Sequence, residues 1–179
     1  MKNKKVIILD RDGVLNKDLK NGVQDLSQLE IYFEYIKSLK SLYASGISFC
    51  VASNQANVGR GIITINSLRI INEKIKSTFL DYGLKIDYFF CCTHKPEEDC
   101  NCRKPRPGLI RNIIDQYDQN TEFLFIGDSI SDYQAAVAAN IPFILVGTGK
   151  GKLSKLSLLE VKFFEDLKKF AMQYQKELE

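Results

Sequence analysis

The run Val6-Ile7-Ile8-Leu9, cut off by Asp10-Arg11-Asp12-Gly13, constrains this chain more than any other segment. Four consecutive aliphatic residues with no polar alternation suit a strand buried on both faces, as in a parallel sheet covered by helices. Two carboxylates spaced two residues apart lie on one side of an extended backbone, and unpaired buried carboxylates are costly. The pair therefore points to a divalent cation, while Gly13 lets the chain turn sharply and bring its backbone close to a ligand. On the same alternation Arg11 is expected to point away from both aspartates.

The rest of the chain alternates strand and helix. Apolar stretches at 47–52, 86–91, 122–126 and 143–146 read as further strands, with 161–164 near the end. Between them lie helical patterns at 29–44, closed by Gly46, and at 64–82, with Thr64 as N-cap and Gly83 beyond. A third pattern, 107–117, has Pro107 in its first turn; a fourth, 132–140, follows a Ser131/Gln134 capping box; a last runs from 165 toward 177. Such alternation specifies an α/β fold, a mainly parallel sheet with helices on both faces, whose ligands sit beyond the carboxyl ends of the strands.

Length and charge narrow the partners. A chain of 179 residues suits one domain, 1–179, that buries about 70% of its unfolded surface. The formal net charge of +3, from 25 Lys+Arg against 22 Asp+Glu, is too small for a dedicated nucleic-acid binder and fits a small anionic ligand better. The basic start Met1-Lys2-Asn3-Lys4-Lys5 precedes only four apolar residues, too few for a signal peptide or a membrane span. A cytoplasmic monomer, with neither nucleic acid nor membrane as partner, is the expectation.

Residues able to do chemistry follow the strands. Ser53-Asn54-Gln55 comes after the second, Arg103-Lys104-Pro105 after the third, and Gly127-Asp128-Ser129-Ile130-Ser131-Asp132 after the fourth. Short hydrogen-bonding side chains, cations and carboxylates set among Gly and Pro are what holding a phosphate and Mg²⁺ requires. Separately, Cys92-x-His94 and Cys100-x-Cys102 use three of the five cysteines and the single histidine. Three thiolates and an imidazole with no open position suit a tetrahedral structural Zn²⁺ on a loop at about 92–102, immediately before Arg103-Lys104. Cys50 and Cys91 read as inert core residues.

Asp10-x-Asp12-Gly13 behind its apolar strand, the strand-end Ser53, Lys104, and Gly127-Asp128-x-x-x-Asp132 resemble, in order, the four motifs of the haloacid dehalogenase (HAD) superfamily of phosphotransferases. The resemblance implies a Rossmann-like HAD fold and a covalent mechanism. In it Asp10 attacks phosphorus, and Asp12 protonates the leaving oxygen and later takes a proton from water. Mg²⁺ is then held by Asp10, the Asp12 carbonyl and Asp128, with Asp132 orienting Lys104 or a metal-bound water. Lys104, Ser53 and Asn54 offset charge on the phosphoryl oxygens. A general acid at Asp12 is expected to have its pKa tuned toward working pH.

The Cys-x-His…Cys-x-Cys-Arg-Lys-Pro loop is similar to that of the HAD subgroup containing heptose 1,7-bisphosphate phosphatases and histidinol-phosphate phosphatases. Asn54-Gln55 with Arg60-Gly61, and Lys104-Pro105-x-Pro107-Gly108, resemble the heptose enzymes more closely. Ser129 stands where those enzymes commonly carry Lys, and joins Asn54, Gln55, Arg60 and Arg103 as a substrate-binding candidate. Arg60 and Arg103 supply cations for a second phosphate. What the resemblance implies is removal of the 7-phosphate on the route to nucleotide-activated heptose for lipopolysaccharide. Histidinol phosphate is the alternative substrate, and a non-catalytic zinc-stabilised binding module the distant alternative. Neither the stretch between the first two strands nor the one between the second and third is long enough for a cap domain, so loops 14–27 and 56–63 and the cysteine loop are expected to cover the site.

Overall fold

The computed structural model describes residues 4–178, so Met1, Lys2 and Asn3 of the basic start lie outside the described residues. Along the chain run β1 (Lys5–Leu9), α1 (Phe33–Ser38), α2 (Lys40–Ala44), β2 (Ile47–Asn54), α3 (Ile65–Asp81), β3 (Ile86–Cys92) and α4 (Gly108–Ile114). They are followed by β4 (Glu122–Gly127), α5 (Ile130–Ala138), β5 (Phe143–Val146), α6 (Gly151–Ser157), β6 (Phe163–Phe164) and α7 (Leu167–Leu178). The strands form one parallel sheet in the order β3-β2-β1-β4-β5-β6.

Side-chain alternation along β1 divides the core. Ile7 and Leu9 pack into a layer with Ile36, Leu42, Ile75, Phe79 and Phe170, residues of α1, α2, α3 and α7. Val6 and Ile8 enter the opposite layer with Leu109, Ile113 and Ala135, residues of α4 and α5. From β1 the chain first builds β2 and β3 on one side, then returns to add β4 on the other. The carboxyl ends of β1 and β4 therefore flank the point where strand order reverses, and a crevice opens there. No helix among the described residues is long and apolar enough to cross a membrane.

Three local readings change. The pattern at 29–44 is not one helix. Residues 30–32 pair back onto the segment after β1, through Lys17 N–H to Glu30 O (2.9 Å) and Tyr32 N–H to Leu15 O (2.9 Å), so helix begins only at Phe33 and re-starts after Leu39. The N-cap of α5 is Ser129 rather than Ser131. Its Oγ accepts the Asp132 N–H while Asp132 Oδ2 accepts the Ser129 N–H (3.1 Å), a reciprocal box spaced like the Ser131/Gln134 pair but two residues earlier. Helix α6 lies in a stretch whose helical character the sequence pattern did not single out.

Candidate active site

Both strand ends at the crevice deliver carboxylates. Asp10 follows β1 and Asp128 follows β4, and both are buried. Their close approach depends on glycine. Gly13 has φ +85°, and a Cβ there would stand 2.3 Å from Asp128 Oδ2. Gly149, φ +53°, presses on the same oxygen from the loop after β5, where a Cβ would come within 2.0 Å. Only residues without side chains let three backbone segments meet around one carboxylate.

Lys104 is the buried cation of the cluster. Its Nζ lies 2.7 Å from Asp10 Oδ1 and 2.6 Å from Asp132 Oδ1, and donates to Ala52 O at 2.9 Å. Asn54 fixes its main chain from both sides, Oδ1 accepting the Lys104 N–H and Nδ2 donating to Lys104 O, each at 3.0 Å. Asp132 in turn is fixed by the α5 cap, its Oδ2 accepting from Ser129 Oγ (2.7 Å). Ser53 is buried at the end of β2, its Oγ accepting from Gln55 Nε2 (2.9 Å).

Asp12 occupies a different environment. Its Oδ1 accepts from Arg11 Nε (3.2 Å), Arg11 Nη2 (3.0 Å) and Asn16 Nδ2 (2.8 Å); Oδ2 accepts from Arg11 Nη2 (3.0 Å) and Gln55 Nε2 (2.7 Å). Arg11 therefore does not turn its charge away from the motif. The strand ends at Leu9, and Arg11 O accepts the Leu15 N–H (2.8 Å) as the chain bends, so strand alternation no longer governs side-chain direction. Burial pushes the Asp12 carboxyl up, but the guanidinium and the Asn16 and Gln55 donors outweigh it and hold the group below its ordinary value. The expected tuning toward working pH is absent.

Asp10 and Asp128 behave in the opposite way. Burial, then repulsion from Asp132, raises Asp10 to about 7 despite Lys104. Burial, then repulsion from Asp10 and Asp132, raises Asp128 to about 8. Lys104 is raised by the two carboxylates in spite of its burial. One carboxylate oxygen from each of Asp10, Asp128 and Asp132 lies within 4.8 Å of the other two, and the buried Lys104 ammonium pairs with Asp10 and Asp132 alone. That surplus of negative charge fits a divalent cation.

All eleven residues expected to handle the phosphate, the substrate and Mg²⁺ line one cavity of about 490 Å³: Asp10, Asp12, Ser53, Asn54, Gln55, Arg60, Arg103, Lys104, Asp128, Ser129 and Asp132. Arg60 is exposed at the rim, and Arg103 Nη1 is buried without a hydrogen-bond partner. Residues 18–22 and 24 form an arch of loop that lines one part of the cavity wall. Asn57 Nδ2 tethers this arch by donating to Asn21 O (2.8 Å), and Asp18 Oδ2 meets Lys150 Nζ at 3.3 Å. Sequence reasoning missed Asn16, Asp18 and Lys150. Asn16 lies four residues beyond Asp12, a turn-sized spacing that could have flagged it; nothing local marked the other two.

Outside the cavity Cys92, His94, Cys100 and Cys102 converge. Sulfur atoms of Cys92 and Cys102 each lie 3.5 Å from Cys100 Sγ, and 3.6 Å and 3.3 Å from His94 Nδ1. These separations are far beyond the roughly 2.05 Å of a disulfide, and near the roughly 3.8 Å edge of a tetrahedron built on Zn–S bonds. The thiols are free and electrostatically divided. Burial and its neighbours push Cys92 up to about 12, whereas main-chain donors and the adjacent thiols, against burial, bring Cys100 down to about 7. The group can hold a metal ion.

Comparison with known proteins finds a family model, curated relatives and a solved structure similar to this chain. Residues 101–169 match the HAD-hydrolase-like family model. The chain is 34% identical over 149 residues to the D-glycero-β-D-manno-heptose-1,7-bisphosphate 7-phosphatase of Pseudomonas putida, covering 83% of this chain and 85% of that protein. With the enzyme of the same name from Neisseria meningitidis serogroup A, identity is 36% over 83% of this chain and 80% of the relative. A crystal structure of D,D-heptose 1,7-bisphosphate phosphatase from B. bronchiseptica, complexed with magnesium and phosphate, superposes with a TM-score of 0.90 at 32% identity, over 97% of this chain and 99% of that one.

Proposed function

Because this chain belongs to the HAD-like phosphatases, in the family of the heptose-1,7-bisphosphate 7-phosphatases, we propose that it removes the 7-phosphate of D-glycero-D-manno-heptose 1,7-bisphosphate through a phosphorylated Asp10. The observation that carries the reading is the convergence of Asp10, Asp12, Lys104 and Asp128, from the ends of β1 and β4 and the loop before α4, on one cavity. The chain is a phosphatase acting on phosphate monoesters, which sets aside the non-catalytic binding module; the heptose relatives do not favour the histidinol-phosphate alternative.

Asp10, the Asp12 carbonyl and Asp128 would hold Mg²⁺, in keeping with the surplus charge around them. When bound, the ion would neutralise phosphoryl oxygens that otherwise repel a carboxylate nucleophile. Lys104 and Ser53 would contact the same phosphoryl group, Lys104 also keeping one Asp10 oxygen in place. As the Asp10 oxygen bonds to phosphorus, the phosphorus–oxygen bond to the sugar breaks and Asp12 gives its proton to the departing oxygen. Water then attacks phosphorus, Asp12 takes a proton from it, and phosphate leaves Asp10 free. Held low by Arg11, Asp12 is ready as a base; its acid turn needs a proton arriving with the substrate, whose negative charge opposes the guanidinium.

Arg60 and Arg103 would receive the second phosphate, Arg103 with a donor still unpartnered. Asn54, Gln55 and Ser129 reach the substrate side of the cavity while holding Lys104, Asp12 and Asp132. Zn²⁺ on Cys92, His94, Cys100 and Cys102 would act as a scaffold, fixing the chain just ahead of Arg103-Lys104. A cytoplasmic, monomeric enzyme of activated-heptose and lipopolysaccharide synthesis completes the reading.

Phosphate release from heptose 1,7-bisphosphate and from histidinol phosphate, measured side by side with Mg²⁺, tests it. Preference for the bisphosphate and loss of all turnover in Asp10→Asn are expected. Preference for histidinol phosphate overturns the substrate, and an active Asp10→Asn overturns the nucleophile.

A further inference from the structure

A guanidinium with no exposed surface is an expensive group to bury, and it persists only where its donors are satisfied. Arg11 is such a group, and it spends those donors at the catalytic centre. Its Nε and Nη2 embrace Asp12, and its Nη1 donates to Asn72 Oδ1 (3.1 Å) on α3. Asn72 is fixed in turn, donating through Nδ2 to Cys91 Sγ (3.4 Å) on β3. The guanidinium is a rigid planar fork, so anchoring one arm on α3 dictates the plane of the carboxylate gripped by the other.

The donors divide unequally between the two Asp12 oxygens. Oδ1 accepts three, from Arg11 Nε, Arg11 Nη2 and Asn16 Nδ2, one donor more than its two lone pairs, and is the more saturated oxygen. Oδ2 accepts only a shared arm of Arg11 and Gln55 Nε2, and Gln55 also lines the cavity. We propose that Arg11, braced from α3 by Asn72, is a positioning residue that locks the Asp12 carboxyl so that Oδ2 alone exchanges the proton with the reacting oxygen. The inference rests on the phosphatase reading above. It adds that a helix with no residue in the chemical step governs proton transfer through one arginine.

Leaving-group dependence tests it. A sugar alkoxide needs a proton to depart, whereas p-nitrophenolate leaves without one, and kcat/KM reports every step through departure of that group. A general acid typically contributes about 10²–10⁴-fold. Arg11→Lys keeps the charge but loses the fork. It is expected to lower kcat/KM for the heptose bisphosphate at least about tenfold while changing that for p-nitrophenyl phosphate less than about twofold. Asn72→Leu, at a half-buried position, should show the same selective loss at about threefold, and decides the matter should Arg11→Lys not fold. Equal losses on both substrates, or no loss in folded variants, overturn the positioning role while leaving the phosphatase intact. A wild-type chain releasing phosphate from neither compound overturns both.

Discussion

At Gly13 a single hydrogen in place of a side chain decides whether two motifs can meet. Alanine there would carry a Cβ at 2.3 Å from Asp128 Oδ2 on a backbone with φ +85°, a conformation costing an L-residue about 1–2 kcal/mol before any clash. Gly13→Ala is expected to lower the melting temperature by several degrees and kcat by more than about tenfold, read by calorimetry and phosphate release. At this scale the sequence was most legible where residue type carries the chemistry: the aspartates, Lys104, and the Cys/His set. It was least legible where partner choice matters. Asn54, Gln55 and Ser129 announce hydrogen-bonding capacity, but only the folded chain shows that they bond to Lys104, Asp12 and Asp132. Arg11 misled because a period of two applies only while the strand lasts.

Among the elements, α5 links stability to chemistry most directly. Removing the Ser129 hydroxyl would strip the cap from the Asp132 N–H and leave Asp132 Oδ2 with the Ser129 N–H alone, while its other oxygen holds Lys104. Ser129→Ala is expected to cost about 1 kcal/mol in urea unfolding and to raise KM as Asp132, the second anchor of Lys104, is held less firmly. The cysteine loop offers a parallel test. Chelating the Zn²⁺ proposed for it should lower the melting temperature and abolish turnover that added Mg²⁺ alone cannot restore, whereas Zn²⁺ with Mg²⁺ should. Strands and most helices were readable because apolar runs and caps are local signals. The 29–44 stretch was not, since residues 30–32 answer to backbone partners at 15–17, a contact that periodicity cannot encode.

Over the whole molecule, protonation and metal binding compete. Asp10 at about 7 and Asp128 at about 8 both sit above the ordinary 3.8, so the metal-free folded chain holds protons that the unfolded chain has released. The sign follows: without metal, stability from these groups is present below about pH 4 and is lost as pH rises through about 7–8. Asp12, shifted down, contributes the reverse arm, lost only as pH falls below the ordinary carboxylate range. Melting temperature without Mg²⁺ should therefore decline between about pH 5 and pH 8.5. Millimolar Mg²⁺ should flatten that decline, its stabilisation growing with pH. A Mg²⁺ effect that shrinks as pH rises would contradict the charge surplus. The parallel sheet and the placement of the site were legible at this scale, because parallel strands force ligands to one edge. The arch at the cavity wall was legible only as a span of loop.

That arch is fastened by an amide on a main-chain carbonyl and by a partly exposed ion pair, Asn57 to Asn21 and Asp18 to Lys150. Neither fastening includes a group assigned to phosphoryl transfer, and an exposed pair of this kind is worth under about 1 kcal/mol. Segment 18–22 can therefore be exchanged as a cassette, with the buried Val23 kept: a library confined to it would sample new acceptance for other phosphorylated sugars while inheriting an intact hydrolytic floor.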